Sequence, residues 1–87
     1  MRMAGEDKDG GWREEDSVLV RDWRLADFAA ALAFVNRVGE AAEAANHHPD
    51  ILLHAWNRVR LTLSTHDAGR ITEADHALAR AIDGLEP

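Results

Sequence analysis

Between Leu25 and Ala45, apolar side chains return every three or four residues, at Leu25, Phe28, Leu32, Val35, Val38, Ala42 and Ala45, while Asn36, Arg37, Glu40 and Glu43 fall elsewhere. That is the helix period, and a segment this long with one apolar face needs a surface to lie on. Asp27 near its start suits an N-terminal position, by hydrogen bonding to a free backbone N–H and by the helix dipole. Pro49 disfavours helical backbone at the residue before it, so the helix cannot run past His48. His47 and His48 therefore fall just beyond its C-terminus. A chain of 87 residues that gives this much of itself to one helix has room for a single compact domain.

The surface that the helix needs is written in the cleanest alternation of the sequence, where Val59, Leu61, Leu63 and Thr65 alternate with Arg58, Arg60, Thr62 and Ser64. Ile51 to Trp56 reads as a strand before it and Asn57 as the turn residue, which makes a hairpin. Upstream, the stretch Ser17 to Leu25 contains Val18, Leu19, Val20 and Trp23, β-branched and aromatic enough for a strand paired with a shorter one around Trp12 to Glu15. After His66, the run Asp67, Ala68, Gly69 reads as a turn. Thr72 followed by Asp75 matches a capping box ahead of Leu78, Ala81, Ile82 and Leu85, so a second helix closes the chain. The order strand, strand, helix, strand, strand, helix, with hairpin-length links, predicts an α+β two-layer domain: an antiparallel sheet with helices packed on one face.

Composition narrows the function classes. The absence of cysteine removes redox motifs and thiolate metal sites. With 10 basic against 16 acidic residues the net charge is −6, which opposes the counterion release behind nonspecific nucleic-acid affinity, so no direct nucleic-acid contact is expected. Residues 1–10 are charged and glycine-containing, read as a mobile tail, and carry no apolar run of signal-peptide or membrane-span kind. Cytoplasmic residence is the default expectation, with no membrane partner. A domain this small, without disulfides, gains stability by self-association, so a homo-oligomer is expected.

Of the five histidines, His47, His48 and His66 stand at element ends, where functional groups collect. An imidazole, with an unperturbed pKa of about 6.5, both accepts and donates protons near neutrality. Spacing alone equally allows surface histidines that interact with the helix dipole. A metal site is disfavoured, because HExxH, His-x-His and cysteine pairs are absent and adjacent histidines do not easily share one ion. His54 and His76 lie within a strand and a helix and receive no role. Asp75 has a sufficient reason to exist as the cap of the second helix. Trp12, Trp23 and Trp56 are expected chiefly to pack, although one of them could floor a flat heterocycle.

The run Glu43, Ala44, Ala45, Asn46, His47, His48, Pro49, followed by Trp56 and then by Thr65, His66 and Asp75, resembles the signature of the pterin-4a-carbinolamine dehydratase family. The resemblance extends from Gly11 and Trp12 through Asp27 and Phe28 to Ile82 and Asp83, about four fifths of the chain. It implies a four-stranded antiparallel sheet over residues 11–87, assembly as a dimer or tetramer, and neither metal nor organic cofactor. The implied reaction is dehydration of a 4a-hydroxy-tetrahydropterin to the quinonoid dihydropterin, in tetrahydropterin recycling. By position, His47, His48, His66 and Asp75 become the catalytic set, with His47 and His66 moving protons and His48 orienting the substrate. Glu43, Pro49, Trp56, Thr65 and Asp67 become substrate-binding residues, with Trp12 or Trp56 and Asp75 expected at the pocket's edge. Two departures stand out: a charged tail precedes Gly11 where family members carry a helix, and Arg70 takes the place of a second glycine after Gly69. The alternative that the resemblance carries is a non-catalytic interaction module, since relatives of this fold serve as transcriptional coactivators or Rubisco assembly helpers.

Overall fold

The structure, a computed structural model, describes residues 11–85, so the expected mobile tail lies outside the described residues. The elements run β1 (Arg13–Glu15), β2 (Val18–Arg24), α1 (Phe28–Ala45), β3 (Asp50–His54), β4 (Arg58–Leu63) and α2 (Glu73–Asp83). All strand pairs are antiparallel and the order across the sheet is β1-β2-β4-β3, which places β3 at an open edge. This is the α+β two-layer arrangement that the sequence pattern predicts. No helix among the described residues is long and apolar enough to cross a membrane.

The alternation on β4 does what a period of two dictates. Val59, Leu61 and Leu63 are fully buried beneath the helices, joined by Leu19 of β2. From α1 come Ala31, Phe34, Val38 and Ala42, and from α2 come Leu78, Ala79 and Ile82. On the opposite face Asp22 accepts hydrogen bonds from Arg13 and Arg60, an exposed pairing across three strands. Trp12 and Trp23 pack edge to face at 5.7 Å, and Trp23 continues onto Phe34 at 5.0 Å. Asp83 accepts from both Trp12 Nε1 at 2.8 Å and Arg21 at 2.6 Å, tying the start of the sheet to the end of α2. Gly11 is required beside them: its φ is +79°, and a Cβ would stand 2.6 Å from Arg21 Nε.

Element ends depart from the sequence reading for local reasons. The first helix starts at Phe28, because Asp27 is extended and its side chain accepts from the Ala30 amide at 2.8 Å as a cap. Leu25 instead joins the core, held by a reciprocal pair of bonds with buried Asn57. The strand expected over Ile51 to Trp56 ends at His54, since Ala55 (φ 47°) and Trp56 (φ 56°) turn left-handed at the hairpin tip.

Candidate active site

The histidine pair is aimed by the way α1 ends. Asn46 takes the left-handed conformation (φ 52°, ψ 41°), a backbone region that asparagine tolerates better than most residues. Its amide donates to the Glu43 carbonyl and the His47 amide donates to that of Ala42, each at 3.1 Å, the bonding of a Schellman motif. The chain thus leaves the helix axis at His47 and His48 and enters β3 after Pro49. Because Asp50 pairs with Thr62, the start of β3 lies beside the end of β4, and His66 follows within a few residues. A tight turn then closes with the Thr65 amide donating to the Arg70 carbonyl at 3.0 Å and Gly69 left-handed. The turn therefore closes with Arg70 at the position where the resemblance leads to the expectation of a second glycine.

His47, His48, Pro49, Thr65, His66 and Asp67 line one open pocket of about 430 Å³, a size in the range of small-molecule sites. Two separate chain segments meet there. Asn46, Asp50 and Ser64 complete the lining and were missed as candidates, although the asparagine after a helix and the register of the two strands are signals that point to them.

Asp75 is not at the pocket's edge. It is 0% exposed and lies behind His47, whose Nε2 is 2.6 Å from its Oδ1. Its Oδ2 accepts from the Thr65 hydroxyl at 2.8 Å and from the Thr72 amide at 2.9 Å, the latter being the acidic half of the expected capping box. The Thr72 hydroxyl pairs with that of Thr65 at 2.7 Å. Burial pushes the Asp75 carboxyl up, but the hydrogen bonds from His47, the Thr72 amide and the Thr65 hydroxyl outweigh it and hold the group below its usual range. An ionised carboxylate only accepts, so it fixes a proton on Nε2 of His47 and leaves the lone pair of the neutral ring on Nδ1. A base with a defined tautomer results.

His48 is oriented differently, by Glu43 at 2.6 Å, with both side chains largely exposed. Glu43 thus reaches the site through His48 and is not itself in the pocket wall. His66 makes no side-chain hydrogen bond among the described residues and is exposed. Trp56 is not brought to the site. It sits 61% exposed at the β3–β4 tip, at the far end of a strand that spans about 17 Å from Asp50 at the usual rise per residue. Trp12 is likewise engaged with Trp23 and Asp83 rather than with the pocket. His54 and His76 lie outside it. Among the described residues, no group of three or more His, Asp or Glu side chains is disposed to hold a metal ion.

Comparison with known proteins places the chain among relatives. The family model for pterin 4 alpha carbinolamine dehydratase matches residues 2–85. A Chloroflexus aurantiacus protein, provisionally named a pterin-4-alpha-carbinolamine dehydratase, is 60% identical over 74 residues, which is 85% of this chain and 78% of the relative. A Thermomicrobium roseum protein with the same provisional name is 54% identical over 75 residues, 86% of this chain and 80% of its own length. The crystal structure of a transcriptional coactivator/pterin dehydratase from Brucella melitensis superposes with a TM-score of 0.80 at 33% identity, over 88% of this chain and 83% of that one. A pterin dehydratase-like protein identified as a RuBisCO assembly factor in the alpha-carboxysome shares the fold, with a TM-score of 0.68 at 23% identity over 85% and 84% of the two chains.

Proposed function

The chain belongs to the pterin-4-alpha-carbinolamine dehydratase family, and from that membership we propose that it eliminates water from a 4a-hydroxy-tetrahydropterin to give the quinonoid dihydropterin. The observation that supports this most directly is the meeting of His47, His48 and His66 on one pocket, with Asp75 buried behind His47.

The reaction needs one proton removed and one delivered. His47 Nδ1 takes the proton from the ring nitrogen bonded to the 4a carbon; the electron pair of that N–H bond becomes the new double bond to the 4a carbon. The carbon–oxygen bond breaks and the hydroxyl accepts a proton from His66, leaving as water. Protons balance, and no electron acceptor enters. Asp75 keeps the proton of His47 on Nε2 and offsets the imidazolium charge as it forms, a positioning role. His48, held by Glu43, orients the substrate, and Pro49, Thr65 and Asp67 border it. Assembly into a dimer or tetramer in the cytoplasm belongs to the same proposal.

The test is a dehydration assay on chemically generated 4a-hydroxy-tetrahydropterin, with formation of the quinonoid product followed by absorbance. Acceleration over the spontaneous rate, lost in a folded variant with both His47→Ala and His66→Ala, is the expected outcome. No acceleration by the wild-type chain overturns the reading. It would favour a second one, a protein-interaction module, for which exposed Phe28, Leu32, Leu52 and Trp56 provide apolar surface.

A further inference from the structure

Thr65 lines the histidine pocket, but its hydroxyl is already engaged, 2.8 Å from Oδ2 of Asp75 and 2.7 Å from the hydroxyl of Thr72. The direction of these bonds follows from charge. The Asp75 carboxyl is held below its usual range, so it is ionised and only accepts. Thr65 must therefore give its one hydroxyl proton to Asp75. Its contact with Thr72 is then a hydrogen bond only if Thr72 donates to the Thr65 oxygen. The hydroxyl protons thus point one way, from Thr72 to Thr65 to Asp75, while His47 meets the other oxygen of the same carboxylate.

The helix has no use for the Thr72 proton. Thr72 is the N-cap of α2, with extended backbone, and capping asks only for an oxygen lone pair that accepts from the first turn. The proton is left for Thr65. That residue precedes His66 directly, and its main chain closes the turn that carries His66 and Asp67. Its amide donates to the Arg70 carbonyl at 3.0 Å, and its carbonyl accepts from the amides of Ala68 and Gly69 at 3.1 and 2.8 Å. Thr65 is thus joined to one proton-handling histidine by a peptide bond and to the other through a buried carboxylate.

Resting on the dehydratase reading of the pocket, we infer that Thr72, which does not line the pocket, is a positioning residue: its hydroxyl orients that of Thr65 and so holds His66 against His47. Two proton transfers to one substrate need their donor and acceptor at a fixed separation, and small misplacements are costly in rate. A hydroxyl whose oxygen receives a hydrogen bond also becomes a stronger donor. Thr72 therefore helps to keep Asp75 ionised at one remove.

The experiment compares wild type with Thr72→Val, Thr72→Ser and Thr72→Gly, each as the full chain. Dehydration kinetics give kcat and KM, and carbon NMR of the ligand-free protein follows the titration of the Asp75 carboxyl. Thr72→Val fills the same space without a hydroxyl. It should lower kcat by about tenfold, the scale of a lost outer partner, with KM nearly unchanged and Asp75 titrating at higher pH. Thr72→Ser should restore both. Thr72→Gly separates the hydroxyl from the cap, because glycine caps a helix about as well as threonine. It should melt close to wild type yet turn over as slowly as the valine variant, and it carries the same test if valine unfolds the chain.

A wild-type kcat in folded Thr72→Val overturns the inference. So does a wild-type kcat in Thr72→Gly, which would make Thr72 a cap and nothing more, and so does a raised KM with kcat unchanged. An Asp75 titration that stays put in Thr72→Val removes the hydroxyl link whether or not the wild type is active. If the wild type does not dehydrate the substrate while Asp75 shifts upward in Thr72→Val and returns in Thr72→Ser, the link stands and the dehydratase reading alone fails.

Discussion

Asp75 joins two tasks that are usually separate. Its Oδ1 meets the ring of His47 while its Oδ2 holds the Thr65 hydroxyl and the first turn of α2. Because the carboxylate acts on the tautomer and charge of His47 rather than on substrate, removing its charge should lower turnover and leave substrate affinity nearly intact. Asp75→Asn is expected to reduce kcat by about 10²-fold with little change in KM, as His47→Ala is, the usual scale for a misplaced or missing general base. His48→Ala should chiefly raise KM, since the proposed mechanism gives the exposed Glu43–His48 pair the orienting of substrate and no proton transfer. Steady-state kinetics on folded variants checks all three. A wild-type kcat in Asp75→Asn would break the proposed link between the carboxylate and the base.

At the level of elements, the same carboxylate fastens α2 to the loop after β4. A helix cap replaced by alanine ordinarily costs about 1 kcal/mol. Here a fully buried acceptor would vanish from three donors at once, leaving the Thr72 amide and the His47 ring without their partner, so Asp75→Ala should cost about 2–4 kcal/mol. Its pH dependence has a definite sign. The folded-state carboxyl titrates below its usual range, so the unfolded chain binds the proton more tightly. The stabilisation is complete above the ordinary carboxylate pKa of about 3.9 and is lost as pH falls through the lower folded value. Asp22 acts in the same direction: burial raises its carboxyl, but the bonds from Arg60 and Arg13 outweigh that and lower it, with a smaller effect because the pairing is exposed to solvent. Urea midpoints should therefore fall as the pH is lowered below about 4 in the wild type and fall less in Asp75→Asn. Equal slopes in the two proteins would contradict this.

For the whole molecule, the unsettled surface lies on α1 and around β3. Phe28 and Leu32 on α1, Leu52 on the edge strand and Trp56 at its tip are all exposed, in a domain of 87 residues with no cysteine. Large apolar side chains near an open sheet edge invite association, and a small core gains from it. We expect sedimentation at micromolar concentration to show a dimer or tetramer, and Leu52→Lys on the edge strand to weaken it. A wild-type chain that sediments only as a monomer would count against this expectation.

Element types and layer order were legible in the sequence because they follow from periods that neighbouring residues set among themselves. The alternation at Val59, Leu61 and Leu63 marked a half-buried strand, and the three- and four-residue spacing from Phe28 to Ala42 marked a helix, although the face that it buries is Ala31, Phe34, Val38 and Ala42, while Phe28 and Leu32 stay exposed. Asp27 and the Thr72–Asp75 pair marked helix starts, since a cap is a local hydrogen bond. The convergence of His47, His48 and His66 followed from the resemblance, while its physical cause, the Asp50–Thr62 register, belongs to the folded sheet. Tertiary structure alone decided the rest. Trp56 looked like a pocket residue in a linear pattern, yet two left-handed residues end its strand and leave it at the far end of the sheet. Asp75 looked like a cap and a pocket-edge acid, but packing buried it behind His47, a distance in space that its place along the chain does not encode. Local periodicity is written in adjacent residues, whereas the neighbours of a side chain across the core are settled only when strands pair and helices close over them.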